Sequence, residues 1–156
     1  MRPARTPIGL HLTHASRTIS RAFDDALAAA GGSLPVWLVL VNLKMRSIAS
    51  QRELAEAMGI RDATLTHHLN AMETAGLVTR TRDPVNRRIH VVELTPAGES
   101  SFLQLRTAAM SFDARLRQGI TEQEIAGLEG LLDRLAANVA DPGSGPAWTG
   151  LAERPS

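Results

Sequence analysis

Gly59 and Gly76 limit this chain's fold more than any other pair of residues. They cut the stretch after Ser50 into two short helical segments joined by a few residues. Ser50-Gln51-Arg52-Glu53 reads as a capping box, in which the Ser oxygen serves a free helix amide and Glu53 reaches back. The first segment runs from Gln51 to Met58 and stops at Gly59. Asp62 is placed to cap the second, Ala63 to Ala75, which Gly76 ends. Helices this short are marginal alone and must pack on one another to persist. Two of them joined through a glycine turn make a helix-turn-helix pattern.

A hairpin follows. Leu77 to Arg82 and Ile89 to Leu94 read as strands, and Asp83-Pro84-Val85-Asn86-Arg87-Arg88 between them reads as a turn. Residues 80–88 hold Arg80, Arg82, Arg87 and Arg88 against Asp83 alone, a local +3 in a chain of net charge +1. A helix pair followed by a hairpin with a basic tip is a winged helix-turn-helix, whose second helix fits a major groove about 12 Å wide. The wing arginines can reach phosphates or the adjacent minor groove. Pairing of these cations with a polyanion outweighs the near-neutral total charge.

Helical phase sorts the second helix, which contains the doublet His67-His68. At about 100° per residue, Leu65, Leu69 and Met72 fall on one face, while His67, Asn70 and Thr74 lie opposite. Thr64 and Thr66 flank that outer face, and His68 leans towards the core. The two imidazoles therefore diverge, and a shared metal site is geometrically poor, because helical metal pairs need one face. His67 and Asn70 can hydrogen-bond base edges, and the threonines can bond phosphates or touch thymine methyls. The DNA-facing candidates are Arg61, Thr64, Thr66, His67, Asn70 and Thr74 on the helix, Arg80, Arg82, Arg87 and Arg88 on the wing, and the cap residues Ser50 and Gln51.

The remaining segments supply four more helices. Residues 8–30 carry apolar residues at helical spacing and end at Gly31-Gly32. Ser33 and Pro35 open a second helix whose run Val36 to Val41 is apolar nearly all round. That β-branched run also permits a strand. Thr95-Pro96 opens a long helix broken at Gly119, and Thr121-Glu122-Gln123-Glu124 marks a second capping box before a last helix with Ile125, Leu128, Leu132, Leu135 and Val139. Residues 141–156 are rich in Pro, Gly and Ser and read as a disordered tail. The chain has no Cys, which excludes disulfides, thiolate metal sites and thiol switches. It has no apolar run of about 18 residues and no apolar core behind its basic start, so a cytoplasmic location and no membrane partner are expected.

From Ser50 to Gly98 the chain resembles the MarR family of bacterial transcription regulators. The resemblance is carried by ELAEAMGIRDATLTHHLNAMETAGLV and by the wing RTRDPVNRRIHVVELTPAGE. The family's wing reads Asp-any-Arg and then Leu-Thr-any-any-Gly; here the matching residues are Asn86-Arg87-Arg88 and Leu94-Thr95-Pro96-Ala97-Gly98. Asn86 stands where the family has Asp, which weakens any ion pair at that point. Arg88 matches the residue the family places in the minor groove. With the flanking helices the likeness covers about residues 8–140 and implies a mainly α (α+β) protein. Its expected parts are a basic arm (1–7), an N-terminal dimerisation helix (8–32), a winged DNA-binding lobe (33–95), C-terminal dimerisation helices (96–140) and the tail.

The resemblance implies a homodimer, and the sequence agrees: the first and last two helices carry apolar residues between their stripes as well, at Leu10, Leu103 and Leu131. A two-fold dimer would set two recognition helices about 34–36 Å apart on a palindromic duplex. Relatives are often released from DNA by small aromatic acids, which implies a repressor with an effector pocket. His11, His14, Arg17 and Trp37 are the candidates for it, with no cofactor. Two alternatives remain open. His11 and His14 could join a third ligand in a metal-responsive regulator. A His-dependent metalloenzyme is the other, although no nucleophile elbow, phosphate loop or HExxH is present. A winged helix used only for protein contact fits the basic wing poorly.

Overall fold

Among the described residues six helices and one hairpin follow one another: α1 (Ile8–Ala29), α2 (Leu34–Met45), α3 (Gln51–Met58), α4 (Asp62–Thr74), β1 (Val78–Arg82), β2 (His90–Leu94), α5 (Pro96–Leu116) and α6 (Glu122–Ala137). This is the element order expected from the sequence, seen in a computed structural model that describes residues 6–46 and 50–140. The expectations for most of the basic arm and for the disordered tail fall on residues 1–5 and 141–156, outside the described residues.

Local chemistry explains most of the boundaries. The Ser33 hydroxyl accepts from the Val36 amide, and Pro35 sits in the first turn, so the β-branched run that could have been a strand is committed to helix. Val39, Leu40 and Val41 are then buried together with Asn42. Asn42 is tolerated there because its Nδ2 donates to the Leu38 carbonyl at 2.8 Å. The Ser50 hydroxyl caps α3 through the Glu53 amide, and the Glu53 carboxylate returns to that hydroxyl at 2.8 Å. The full reciprocal box forms at Thr121 and Glu124. The Thr121 backbone and hydroxyl hydrogen bonds hold the Glu124 carboxyl below its usual range.

Asp62 departs from expectation. It is the first residue of α4 rather than its cap; Arg61 holds the cap position, and no side chain caps it. The Asp62 charge acts instead in the first turn, where a carboxylate meets the positive end of the helix dipole. Gly59 ends α3 at φ 65°, and the following Ile60 amide reaches back to the Ala55 carbonyl at 3.1 Å. Only glycine takes that left-handed turn without a Cβ penalty, and it sets the angle at which α4 crosses α3.

The core lies where the end of α1 meets α2, α3, α4, the hairpin and α5. Leu27, Leu40, Leu54, Leu65, Leu69 and Leu105 are fully buried in it, each worth about 1.5–3 kcal/mol by removal from water. β1 and β2 pair antiparallel with Val78 opposite Leu94 and Arg80 opposite Val92. Ser50 extends this ribbon by bridging to Val91, so the start of α3 is tied to the wing. The Leu-Thr-any-any-Gly stretch acquires a physical meaning here. The Thr95 amide donates to the Leu77 carbonyl, and the Thr95 hydroxyl donates to the Gly76 carbonyl while accepting from the Gly98 amide. A Cβ on Gly98 would stand 2.0 Å from the Leu77 oxygen, so α5 can start this close to β1 only with glycine there.

Candidate nucleic-acid interface

α4 divides into two faces. Leu65 and Leu69 are fully buried and Met72 nearly so, while Thr64, His67, Asn70 and Thr74 are exposed. Thr66 and His68 are half-buried. The two imidazoles sit edge to face with ring centroids 5.8 Å apart and an interplanar angle of 61°. Among the described residues no group of three or more His, Asp or Glu could hold a metal ion. His11 and His14 are exposed on α1.

The helix is locked in place by polar contacts at its edges as well as by its leucines. Gln51 Nε2 donates to the Thr66 hydroxyl at 2.8 Å, joining the first turn of α3 to α4. The Thr66 hydroxyl keeps its own proton for a further acceptor. On the other side Arg80 reaches across from β1: its Nε and Nη2 donate to the Glu73 carboxylate at 3.1 and 2.6 Å, and Nη2 also donates to the Asn70 Oδ1. The Arg80 hydrogen bonds hold the Glu73 carboxyl below its ordinary value.

The four wing arginines thus fall into two groups. Strand alternation puts Arg80 on the same face as buried Val78, so it points at α4 and its side chain is only 18% exposed. Arg82, Arg87 and Arg88 are exposed, and none forms an ion pair among the described residues; the same holds for Arg61. The tip that carries Arg87 and Arg88 is a closed structure. Asp83 Oδ1 accepts from the Val85 and Asn86 amides at 2.8 and 2.7 Å, and Asn86 Oδ1 accepts from the Arg88 amide at 3.2 Å. The Asn86 position therefore needs an acceptor oxygen for turn closure, which an amide supplies without a negative charge.

The effector candidates separate as well. A cleft of about 620 Å³ opens between α2, α5 and the α5–α6 turn, lined by Trp37, Met45, Phe102, Arg106, Met110 and Ile120 among others. Trp37 stacks on Phe102 with centroids 5.9 Å apart and an interplanar angle of 14°. His11, His14 and Arg17 lie along α1 and do not line this cleft. Three acidic and basic groups at its mouth satisfy one another: Arg117 pairs with Glu122 at 2.6 Å and with Asp113 at 3.6 Å. Arg106 is exposed and unpaired among the described residues. Nothing local in the sequence sets Arg106 apart from the other arginines of α5.

Known proteins resemble this arrangement. A family model described as MarR family matches residues 33–90. A curated protein of Thauera aromatica, the putative transcriptional regulatory protein for the hcr operon, is 27% identical over 129 residues, or 82% of this chain and 78% of that protein. The solved transcriptional regulator PA3341 superposes with a TM-score of 0.71 at 32% identity, covering 85% of this chain and 97% of that one. A transcriptional repressor, CouR, solved on a 23-mer DNA duplex, gives a TM-score of 0.74 at 26% identity, with 83% of this chain and 92% of that one covered.

Proposed function

The chain belongs to the MarR family of winged helix-turn-helix transcriptional regulators, and from that membership we propose that it works as a homodimeric repressor of a palindromic duplex site. α4 enters the major groove, presenting His67 and Asn70 to base edges and Thr64, Thr66 and Thr74 to phosphates or thymine methyls. Arg61 and the cap residues Ser50 and Gln51 face the backbone beside it. Arg82, Arg87 and Arg88 carry the wing to phosphates and into the minor groove. The observation that supports this most is a polar outer row on α4 beside exposed wing arginines that form no ion pair among the described residues. The DNA-bound repressor CouR shares the fold at 26% identity.

Dimerisation explains apolar surface that one chain leaves open. Ile8 and Leu10 on α1, Leu103 on α5, and Leu128 and Leu131 on α6 are each about half exposed or more. Exposed apolar side chains of this kind are usual at homodimer interfaces. In the described residues no single helix is long and apolar enough to cross a membrane.

The effector site fits the Trp37 cleft better than the α1 histidines. A flat ring can lie against Trp37 and Met110, and a carboxylate can reach Arg106, so a small aromatic acid suits it. The reading is tested by recovering genomic fragments with the purified protein and then adding small aromatic acids. Recovery of fragments that share one palindrome, and their release by some of those acids but not from an Arg106→Ala variant, is the expected result. Fragments with no common sequence would overturn it.

A further inference from the structure

Asn70 is exposed on the groove side of α4, yet its amide oxygen is already engaged by Arg80. Arginine has donors and no acceptor, so this contact fixes which end of the carboxamide is which: Oδ1 turns back to Arg80 and Nδ2 turns outward. Arg80 is in turn held by two hydrogen bonds to Glu73, one turn further along the same helix. From the contacts of Asn70, Arg80 and Glu73 we propose that Arg80 is a positioning residue and not a phosphate contact: with Glu73 it clamps Asn70 as a hydrogen-bond donor and so makes it read the acceptor edge of guanine.

An asparagine that selects adenine does so with both ends of its amide, accepting from N6 and donating to N7. Asn70 has committed its accepting end to a charge-assisted bond with a guanidinium, which is stronger than a neutral one. What it offers the groove is an NH₂ group with two donors. Guanine places two acceptors, N7 and O6, side by side in the major groove, whereas adenine presents an acceptor beside a donor. The clamp therefore favours guanine over adenine opposite Asn70. Strand alternation is what makes this possible, because Arg80 shares the inward face of β1 with Val78 and reaches α4 and not the solvent.

This inference rests on the reading of α4 as the recognition helix, and the experiment separates the two. A duplex is first selected by the wild-type protein from a randomised pool, and its affinity and salt slope are compared with those of a random-sequence duplex. Failure of the wild type to select any motif would sink the recognition-helix reading, and the clamp with it. On the selected duplex, each guanine is then replaced by 7-deazaguanine and by adenine. One guanine should matter to the wild type and to Arg88→Ala, and that preference should vanish in Asn70→Asp, which offers no donor.

Arg80→Ala and Glu73→Ala should each erase the same preference, by roughly fivefold or more. Their affinity for random duplex should hold, as should the salt slope, and the double variant should lose no more than either single one. Arg80→Lys, which keeps the charge but not the fork, should behave like Arg80→Ala if positioning is what counts. A salt slope lowered by about one in Arg80→Ala, with equal loss on both duplexes, would make Arg80 a phosphate contact and overturn the proposal. An adenine preference opposite Asn70 in the wild type would overturn it equally. Thermal unfolding of each variant shows whether a loss is of fold or of reading.

Discussion

Helices α4 and α6 carry the same kind of apolar stripe and meet opposite fates. In α4, Leu65, Leu69 and Met72 are buried against the rest of the chain. In α6, Leu128, Leu131 and Leu132 remain 49%, 54% and 37% exposed, and no residue of that helix is buried. Periodicity marks which face of a helix avoids water, but not what covers it. For α4 the cover is intramolecular, which frees the opposite face for a partner of different chemistry. For α6 the stripe itself is the unfilled surface, and its N-terminal capping box and the Arg117–Glu122 pair are what define its start.

The largest effect should come from α6. Leu128→Glu combined with Leu132→Glu should halve the solution mass measured by light scattering while leaving the helical signal in place. The affinity for a full palindrome should then fall on the order of 100-fold or more, as bivalent binding becomes two separate events. An unchanged mass would break the contrast between the two helices. Leu69→Ala tests the other side of it: denaturant unfolding should show a loss of about 2–5 kcal/mol, because the cavity opens in a filled core. A loss below 1 kcal/mol would mean that α4 is not anchored as described.

Smaller effects sharpen the same contrast. Thr121→Ala removes the capping hydroxyl of α6 and should cost about 1 kcal/mol, seen as a lower melting temperature, with the wing and α4 untouched. The Arg80–Glu73 pair should show the least change near neutrality. The Glu73 carboxyl is held below its ordinary value by the Arg80 hydrogen bonds. The contribution of the pair is therefore present above about pH 4.3, the ordinary Glu value, and is lost only as pH falls through the lowered one. The Arg80 Nε–H resonance in NMR spectra should stay unchanged from pH 8 to pH 5. Movement of that resonance between pH 6 and pH 5 would contradict the tight pairing.

Much of this organisation is legible in the residues themselves. The phase of Leu65, Leu69 and Met72 places His67 outward and His68 half inward, and the structure has them so. Glycines, caps and the Pro84 turn mark the element order. Long-range pairing is what the sequence hides. Arg80 looks like a wing cation when charges are counted along the chain, and only its period-two relation to Val78 hints that it faces α4. Asp62 was expected to cap a helix that in fact begins with it, because cap position depends on the backbone angles of Arg61 and not on side-chain preference alone. The cleft is assembled from α2, α5 and the turn after α5, so no local pattern joins Trp37 to Arg106. Of the four effector candidates, Trp37 alone lines that cleft.

The most direct test is a protection footprint of the protein on its recovered duplex, probing guanine N7 in the major groove and adenine N3 in the minor groove. A homodimer on a palindrome should give two symmetric major-groove patches separated by one helical turn or a multiple of it. Each should be flanked by minor-groove protection that disappears in Arg87→Ala with Arg88→Ala while the major-groove pattern remains. A single asymmetric patch, or minor-groove protection indifferent to both arginines, would contradict it.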